Sequence, residues 1–365
     1  MIKGKKINLN FWKNKKVLIT GHTGFKGSWL SMILKYLGCQ IYGYSLMPEA
    51  SKNIFNEYKL SNIFKKSIIS DVRNFENLYR KIELIKPDII FHMAAQSLVI
   101  DSYKKPYHTF DVNFMGTLNL IECIKRLKIK RSLIITTDKV YKNINSRNFF
   151  MESDQLGGND PYSASKASVE ILVNSFAKSF FISNKNIHIA TARAGNVVGG
   201  GDWSKERLIP DFFKCLFKNK ILSVRNPSHT RPWQHVLEPL VGYILLIQSM
   251  PFRSKKINEN IAWNFGPINK SNLSVKKILD ILCKQNKNKR IKINFSKKNL
   301  KFDENKNLSI NTKRVRKLLN FQLKMNINNT LKLCTDWYTA YDQSKKDSYL
   351  VMQDQIDKYL KNYYL

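Results

Sequence analysis

The segment Lys16-Val-Leu-Ile-Thr-Gly-His-Thr-Gly-Phe-Lys-Gly27 decides the fold of this chain of 365 residues. It opens with a short apolar run, and an apolar-periodic stretch follows its glycines. This order predicts a buried strand, a tight turn and a helix. Glycine lets the backbone approach a pyrophosphate, which the N–H groups and dipole of the helix N-terminus stabilise. The predicted dinucleotide contacts are Gly21, His22, Thr23, Gly24, Phe25 and Gly27.

Further apolar runs alternate with helical patterns along the first half of the chain. Strands are predicted at 40–44, 67–70, 88–92, 132–136 and 187–192, and the longer helices at about 74–85, 110–127 and 161–181. Because parallel neighbours need crossovers, this alternation predicts an α/β fold, a Rossmann-type doubly wound parallel sheet. We expect a dinucleotide-binding Rossmann domain at 1–195, to which segments near 235–265 return. A smaller mixed α/β substrate lobe is expected at 196–365.

The charge of the chain is strongly positive, with 62 Lys and Arg against 27 Asp and Glu and a formal net charge of +35. The lysines are scattered, so we interpret the excess as solvated surface; a nucleic-acid or anionic-membrane partner is the alternative. The five cysteines form no CxxC pair, which predicts no disulfide framework, no metal site and a cytoplasmic setting. No apolar run reaches the roughly 20 residues of a membrane helix, and the N-terminus lacks the apolar run of a signal peptide.

The spacing of the three glycines resembles that of the short-chain dehydrogenase/reductase superfamily. That resemblance implies adenine contacts after the third strand and a nicotinamide-side loop after the fourth, at Asp71, Val72, Ala94, Ala95 and Gln96. The second strand ends at Tyr44-Ser45-Leu46, without an acidic residue for the ribose 2′-hydroxyl or an arginine for a 2′-phosphate. The residues themselves therefore leave NAD and NADP open. They also leave His22 either on a phosphate or in solvent.

Tyr162 and Lys166 lie four residues apart in a predicted helix, one above the other on the same face. We expect the ammonium to lower the pKa of the phenol and to reach the cofactor ribose. Tyr162 would then serve as the base for a sugar hydroxyl proton. The alternative is a tyrosine and a lysine on a helix surface with no catalytic role.

Thr136-Thr137-Asp138-Lys139 follows a predicted strand, at the sheet edge where open α/β sheets bind ligands. The hydroxyl partner of the superfamily falls on Thr137, which would hydrogen-bond the substrate hydroxyl. Asp138 and Lys139 are superfluous for alcohol oxidation but are needed if water is to be eliminated from an oxidised sugar. A crevice that buries both would shift their pKa values toward a protonated Asp138 and a neutral Lys139. The alternative is an Asp-Lys turn that ends a strand.

A closer resemblance spans roughly residues 21–240. The matching stretches are GHTGFKGSWL from Gly21, TTDKVY from Thr136, LGGNDPYSASKASVE from Leu156, ARAGNVVGGGDW from Ala192, RLIPD from Arg207 and RPWQHVLEPL from Arg231. They resemble the CDP-glucose 4,6-dehydratase family, extended short-chain dehydrogenase/reductases among the NDP-sugar dehydratases. Related dehydratases carry Asp-Glu or Ser-Glu at 138–139, so Lys139 is the most discriminating residue. Segment 142–151 looks shorter and less aromatic than usual, which leaves the substrate-covering loop open.

This resemblance implies a lyase that uses bound NAD to convert CDP-D-glucose to CDP-4-keto-6-deoxy-D-glucose and water. Tyr162, assisted by Thr137 and Lys166, would remove the C4 hydroxyl proton as hydride passes from C4 to NAD⁺. Lys139 would remove the C5 proton and Asp138 would protonate the departing C6 hydroxyl, before hydride returns to C6. The implied pathway supplies deoxysugars for a bacterial surface polysaccharide, such as the O-antigen of lipopolysaccharide.

The remaining predicted site residues surround the nucleotide-sugar substrate. Arginine suits a diphosphate because its planar fork pairs with phosphate oxygens. The predicted substrate contacts are Gln96, Asn196, Arg207, Arg231 and His235. We leave Arg193 open between a diphosphate contact and a structural role, and interpret Glu170 as a charge on a helix face. The family also implies a homodimer or a dimer of dimers, packed through the helices that begin at Phe110 and Pro161.

Two other classes of function stay open. One is a related enzyme: a dehydratase for another nucleotide sugar, or a 4-epimerase, which would have no use for Asp138 and Lys139. The other is an NAD-binding scaffold without activity or a basic nucleic-acid-binding protein. Retention of Thr137, Tyr162 and Lys166 together argues against the second class.

Overall fold

A seven-stranded parallel sheet forms the centre of the molecule. Its strands are β1 (Lys16–Thr20), β2 (Gln40–Ser45), β3 (Lys66–Ile69), β4 (Ile89–His92), β5 (Arg131–Ile135), β6 (His188–Ala194) and β7 (Ala262–Phe265). They are ordered β7-β6-β5-β4-β1-β2-β3, and every pair is parallel. The structure is a computed structural model that describes residues 5–48, 52–142, 149–181, 186–250, 261–267, 273–287, 289–296 and 309–365. Most of segment 142–151 therefore lies outside the described residues.

Nine long helices of the described residues flank the sheet or form the C-terminal part. They are α1 (Phe25–Tyr36), α2 (Phe75–Ile85), α3 (Gly116–Leu127), α4 (Pro161–Phe176), α5 (Leu208–Phe217), α6 (Leu237–Gln248), α7 (Val275–Gln285), α8 (Ile327–Gln343) and α9 (Lys345–Tyr363). Shorter helices cover Leu9–Trp12, Ile54–Glu57, Val99–Lys104, Pro106–Phe110 and Lys313–Leu319. In the part of the chain that the structure describes, three small two-stranded sheets pair Val197–Val198 with Gln234–His235, Thr230–Arg231 with Leu273–Ser274, and Leu222–Arg225 with Ile293–Ser296.

The sheet is buried on both faces, which explains why its strands are continuous apolar runs in the sequence. Val17 and Ile19 pack in the cluster that includes α1 and α6, whereas Leu18 packs in the cluster that includes α2, α3 and α4. Each such aliphatic side chain contributes about 1.5–3 kcal/mol when fully buried. The two helical layers confirm the doubly wound α/β fold predicted from the alternation of strands and helices.

Two of the predicted helices differ from the observed ones. The predicted helix at 110–127 consists of Pro106–Phe110, a π-helical segment at Asp111–Met115, and α3. Within that π segment, the Asn113 carbonyl accepts a hydrogen bond from Thr117 at 2.6 Å. The predicted helix at 161–181 ends as α4 at Phe176 and continues as a π-helical segment. Such π segments interrupt helices at functional sites, and apolar periodicity does not reveal them.

A buried carboxylate joins α6 to the C-terminal helices. Glu238 Oε1 accepts hydrogen bonds from the backbone N–H groups of Lys324 and Met325 at 2.8 and 2.7 Å. Its Oε2 accepts one from the Tyr359 hydroxyl at 2.6 Å. Burial raises the pKa of Glu238 to about 7, although these hydrogen bonds partly oppose the rise. The side chain is therefore protonated more readily in the folded chain than in the unfolded one.

We expect Glu238→Gln to flatten the pH dependence of stability between pH 5 and 8. The folded pKa of about 7 lies above the ordinary value of 4.5, so the contribution of Glu238 is full at low pH and disappears as pH rises through 7. The difference in pKa corresponds to about 3 kcal/mol of unfolding free energy. Urea unfolding at several pH values measures it, with Glu83→Gln, at an exposed carboxylate, as the control. Parallel profiles for Glu238→Gln and the wild type would refute this account.

Candidate active site

The glycine turn between β1 and α1 has no room for a side chain at Gly21 or Gly27. Gly21 has φ +74°, and a Cβ there would lie 2.7 Å from the Ala94 backbone nitrogen. A Cβ on Gly27 would lie 2.2 Å from the Gly21 carbonyl oxygen. Gly24 caps α1 without a side-chain hydrogen bond to the first turn of the helix. The turn is therefore a backbone cradle at a helix N-terminus, which suits a diphosphate.

His22 lies in this turn, but its imidazole points into the protein. The side chain is fully buried, contacts the rings of Phe55 and Phe64, and shares a 2.7 Å hydrogen bond between Nε2 and the Ser67 hydroxyl. Burial lowers its pKa to about 4, so the ring is neutral. Both predicted positions of this side chain, on a phosphate or in solvent, are wrong, because the apolar pocket under β2 and β3 holds it. Only the His22 backbone is left to meet a phosphate.

The predicted adenine side is organised by an arginine. Asp71 accepts hydrogen bonds from the backbone and the guanidinium of Arg73, which also pairs with Asp111 at 2.7 Å. The hydrogen bond from Arg73 holds the pKa of Asp71 below its ordinary value. Val72 is buried, and its side chain lies against Gly116 at the start of α3. The side chain of Thr23 donates to the Leu46 carbonyl at 2.8 Å, which ties the glycine turn to the end of β2.

Hydrogen bonds from neighbouring residues fix the loop that follows β4. The Ala94 N–H donates to the Thr20 hydroxyl at 3.3 Å, and Ala95 follows in the same partly exposed loop. The Gln96 amide bonds to the Leu98 backbone and to Thr109, so this predicted substrate contact is turned toward its own loop.

Asn113 completes the support of this loop and was missed in the sequence. Its side chain accepts from the Gln96 N–H at 2.8 Å and donates to the Gln96 carbonyl at 3.0 Å and to Ser165 at 2.9 Å. The available signal was weak: an asparagine in the first turn of the helix predicted at about 110–127.

Tyr162 and Lys166 share a face of α4, as predicted, but the pKa of Tyr162 differs from the expectation. Lys166 Nζ donates to the Ile135 carbonyl at the end of β5, at 3.1 Å, and burial lowers its pKa to about 8. Burial raises the pKa of Tyr162 to about 12, with Thr137 and the charge of Arg207 opposing the rise. The expected lowering by Lys166 is wrong in this state of the chain, because burial outweighs it and the ammonium turns toward the strand.

The candidate catalytic segment, residues 136–141 after β5, contains a short 3₁₀ turn at Asp138–Val140. Thr137 Oγ1 donates to Asp138 Oδ1 at 3.1 Å. Asp138 is only 2% exposed, and none of the residues that the structure describes forms a hydrogen bond with its Oδ2. Burial raises its pKa, and the charges of Lys139, Arg231 and Lys26 limit the rise. The raised pKa agrees with the expectation of a protonated Asp138. The crevice was expected to bury Lys139 as well, but Lys139 is only partly buried.

Lys26, in the first turn of α1, also belongs to this group and was missed. Burial lowers its pKa to about 8; the charge of Arg207 adds to this effect, and the carboxylates of Asp138 and Asp202 oppose it. The signal was present in the sequence, because a cation is unfavourable at a helix N-terminus. A lysine between two glycines of a phosphate turn therefore needs an anionic neighbour, and the carboxylate of Asp202 acts in that way.

Three of the predicted substrate residues lie at the C-terminal side of the crevice. Arg207 pairs with Asp202 at 2.9 Å and keeps 37% of its side chain exposed. Arg231 is mostly buried, and its charge acts on Asp138. Asn196 is partly exposed, and its carbonyl accepts from the Gln234 N–H at 3.1 Å. Arg207 and Arg231 thus both act electrostatically on the catalytic residues.

His235 does not join this group. Its ring is fully buried, edge-on to Trp29 with the centroids 5.7 Å apart, between α1 and α6. Burial lowers its pKa to about 3. The predicted substrate contact at His235 is wrong, because the ring is part of the packing beneath the glycine turn.

Glu170 is not a surface charge either, which corrects its interpretation in the sequence. Glu170 and Arg193 form an ion pair at 2.9 Å, with side chains 2% and 3% exposed. The guanidinium of Arg193 is therefore paired with Glu170 and is not available to bind a diphosphate.

Among the described residues, no group of three His, Cys, Asp or Glu side chains is placed to hold a metal ion. In the same part of the chain, no helix combines the length and the apolar character needed to cross a membrane.

Comparison with known proteins identifies relatives that match most of the chain. The chain matches the family model described as GDP-mannose 4,6 dehydratase over residues 18–334. It is 44% identical over 279 residues to the CDP-glucose 4,6-dehydratase of Salmonella typhimurium, which covers 75% of this chain and 77% of that protein.

Solved structures show how widely the fold is shared. The dTDP-glucose 4,6-dehydratase of Bacillus anthracis in complex with NAD has a TM-score of 0.74 at 20% identity, over 92% of this chain and 99% of that one. The UDP-glucose 4-epimerase of Thermotoga maritima with UDP-glucose has a TM-score of 0.75 at 19% identity, over 89% and 99%. Because a dehydratase and an epimerase share this fold, the fold does not select between the two reactions.

Proposed function

The chain belongs to the GDP-mannose 4,6 dehydratase family, and from that premise we propose that it is an NAD-dependent hydro-lyase that converts CDP-D-glucose to CDP-4-keto-6-deoxy-D-glucose and water. The observation that carries the proposal is a buried acid beside an oxidation site. Asp138, with its raised pKa, lies within electrostatic reach of Tyr162 and follows Thr137 directly. The 44% identity to a CDP-glucose 4,6-dehydratase supports CDP-glucose as the substrate.

The glycine turn fits NAD, since Gly21 and Gly27 let the backbone close tightly at the N-terminus of α1, where free N–H groups can meet a diphosphate. We propose that Gly21, Gly24 and Gly27 hold the diphosphate, and that Asp71 and Val72 contact the adenine. The loop at 94–96 would border the nicotinamide, and Lys166 would hold the ribose. Bound NAD⁺ supplies a hydride acceptor for C4 and, once reduced, a hydride donor for C6.

The side chains divide the proton transfers between them. Tyr162 accepts the C4 hydroxyl proton, with Thr137 holding the same hydroxyl. Burial raises the pKa of Tyr162 to about 12, and Thr137 and the charge of Arg207 oppose that rise. The resulting ketone acidifies the C5 proton, so a modest base, Lys139, suffices. Asp138 delivers a proton to the departing C6 hydroxyl; the burial that raises its pKa keeps that proton available.

The alternative reactions differ in what they require of these residues. A 4-epimerase needs only the tyrosine, threonine and lysine, and gains nothing from burying Asp138 at an energetic cost. A dehydratase for another nucleotide sugar would need the same acid. We propose Asn196, Arg207 and Arg231 as diphosphate contacts of the substrate, in a lobe at 196–365 beside an NAD-binding domain at 1–195.

We also propose that the protein forms a homodimer or a dimer of dimers through the helices that flank the π segment and through α4. Large apolar side chains are exposed there, namely Tyr107 (84%), Met115 (44%) and Ile171 (60%). A second copy of the chain would cover them. The five cysteines are all free, which supports the proposed cytoplasmic setting.

The proposal is tested by incubating the purified protein with NAD⁺ and, separately, CDP-, dTDP-, UDP- and GDP-glucose. We expect the alkali-induced chromophore of a 4-keto sugar with CDP-glucose only. Turnover of dTDP-glucose but not CDP-glucose would overturn the substrate assignment. Appearance of a 4-epimer without the chromophore would establish an epimerase, and failure to bind NAD⁺ in a fluorescence titration would revive the inactive scaffold.

A further inference from the structure

A buried ion pair stands directly behind the catalytic segment. Glu170 accepts two hydrogen bonds from the Arg193 guanidinium, from Nε at 3.0 Å and from Nη2 at 2.9 Å. The carboxylate also accepts from Thr136 at 2.5 Å and from Thr191 at 2.6 Å. Burial alone would raise the pKa of Glu170, but Arg193 and the two threonines hold it below its ordinary value. The pair is therefore charged and fully hydrogen-bonded.

The two partners hold the catalytic segment at both ends. Thr136, held by Glu170, comes immediately before Thr137. Tyr141 comes two residues after Lys139, and its hydroxyl accepts from Arg193 Nη1 at 2.8 Å. The Tyr141 hydroxyl in turn donates to Asn264 on β7 at 2.7 Å. The segment 136–141 is thus hydrogen-bonded at both ends to the same ion pair, at Thr136 through Glu170 and at Tyr141 through Arg193.

The same pair ties the segment to the helix of the proposed base. Glu170 lies eight residues after Tyr162 and four after Lys166 on α4, so the three side chains project from one face of the helix. A shift of Glu170 relative to Thr136 would therefore move Tyr162 relative to Thr137. Apolar side chains would serve stability here equally well, since a buried ion pair gains little over a hydrophobic replacement. What such a pair does provide is a fixed register between the helix and the strand end.

We propose that Glu170 and Arg193 are positioning residues that hold Thr137, Asp138 and Lys139 in register with Tyr162. The role rests on the proposed dehydration at this site. Neither residue is placed to touch the substrate; each acts through its hydrogen bond to a residue that borders the catalytic segment. Elimination needs acid and base placed to better than an ångström, so looser register slows turnover more than it weakens binding.

Removing Glu170 or Arg193 would leave a buried charge unpaired, so the test uses gentler variants. Thr136→Val and Tyr141→Phe each delete one hydrogen bond to the pair and keep the ion pair and the shape. Thr191→Val is the matched control, because it deletes a hydrogen bond to the same carboxylate from β6, away from the catalytic segment. We expect Thr136→Val and Tyr141→Phe to lower kcat about tenfold or more with KM nearly unchanged, and Thr191→Val to stay within about twofold of wild type.

Hydrogen exchange of backbone amides 137–141, measured without substrate, is expected to quicken in Thr136→Val and Tyr141→Phe but not in Thr191→Val. Equal losses of kcat in all three variants, or wild-type kcat in Thr136→Val and Tyr141→Phe, would overturn the positioning role, whatever the exchange shows. If the wild-type chain dehydrates no nucleotide sugar, the proposed function fails instead. In that case unchanged exchange in all three variants would overturn the positioning of the segment, and selective quickening would support it.

Discussion

We expect Tyr162→Phe to lower kcat for CDP-glucose about a thousandfold, the loss that follows when a positioned general base is removed. The phenylalanine ring fills the same space, so binding of the nucleotide sugar is retained and KM changes little. Without this base, hydride should leave C4 far more slowly, so reduced cofactor should not accumulate during turnover. Stopped-flow absorbance of the reduced nicotinamide and the steady-state rate of 4-keto product measure both effects.

Tyr363→Phe is the matched control for this variant, because it removes a phenol from a partly exposed position at the end of α9. It should keep wild-type kcat. A Tyr162→Phe protein that retained a tenth of the wild-type rate would show that another group accepts the C4 proton. Lys166 would then be the first residue to examine, since burial lowers its pKa to about 8.

Asp138→Asn separates the two halves of the reaction. Asparagine has the shape of the aspartic acid but no proton to deliver, so oxidation at C4 proceeds and loss of the C6 hydroxyl slows about a hundredfold to ten-thousandfold. Reduced cofactor should accumulate, and exchange of the C5 hydrogen with solvent deuterium should continue through Lys139. Absorbance and mass spectrometry of the recovered sugar record these outcomes.

Lys139→Met is the complementary variant and should abolish the C5 exchange while still allowing cofactor reduction. If Lys139→Met released product at an undiminished rate, the base would not be Lys139.

Stability gives an independent check on Asp138→Asn. The raised pKa of Asp138 means that its charged form is disfavoured in the folded chain, so asparagine should raise the melting temperature even as activity falls. A drop in both would point to a folding defect.

Local patterns predicted the elements that bear the site. The apolar run at 16–20 coincides with β1, and the proline at 161 begins α4 as expected. Because β4 and β5 are parallel neighbours, the residues after each strand meet at one edge of the sheet. This is why the loop at 94–96 and the residues Thr137 and Asp138 could be expected to border the same crevice.

Local sequence patterns could not predict the contacts between distant segments of the chain. Whether His22 faces a phosphate or an aromatic pocket depends on Phe55 and Phe64, which lie more than thirty residues away. The environment of the His235 ring was unpredictable for the same reason, since its partner Trp29 belongs to another part of the chain. The pKa of Tyr162 depends on how deeply its side chain is buried, which the spacing of residues along a helix does not reveal.

The position of β7 in the sheet has a consequence for biosynthesis. This strand pairs with β6 along its whole length, yet about seventy residues separate the two in the chain. As the chain leaves the ribosome, β1 to β6 can assemble early, but the outer edge of β6 stays open until residue 265 has emerged. Asn264, the acceptor for Tyr141, arrives only then. The catalytic segment is thus finished late, after most of the nucleotide-binding sheet has already been made.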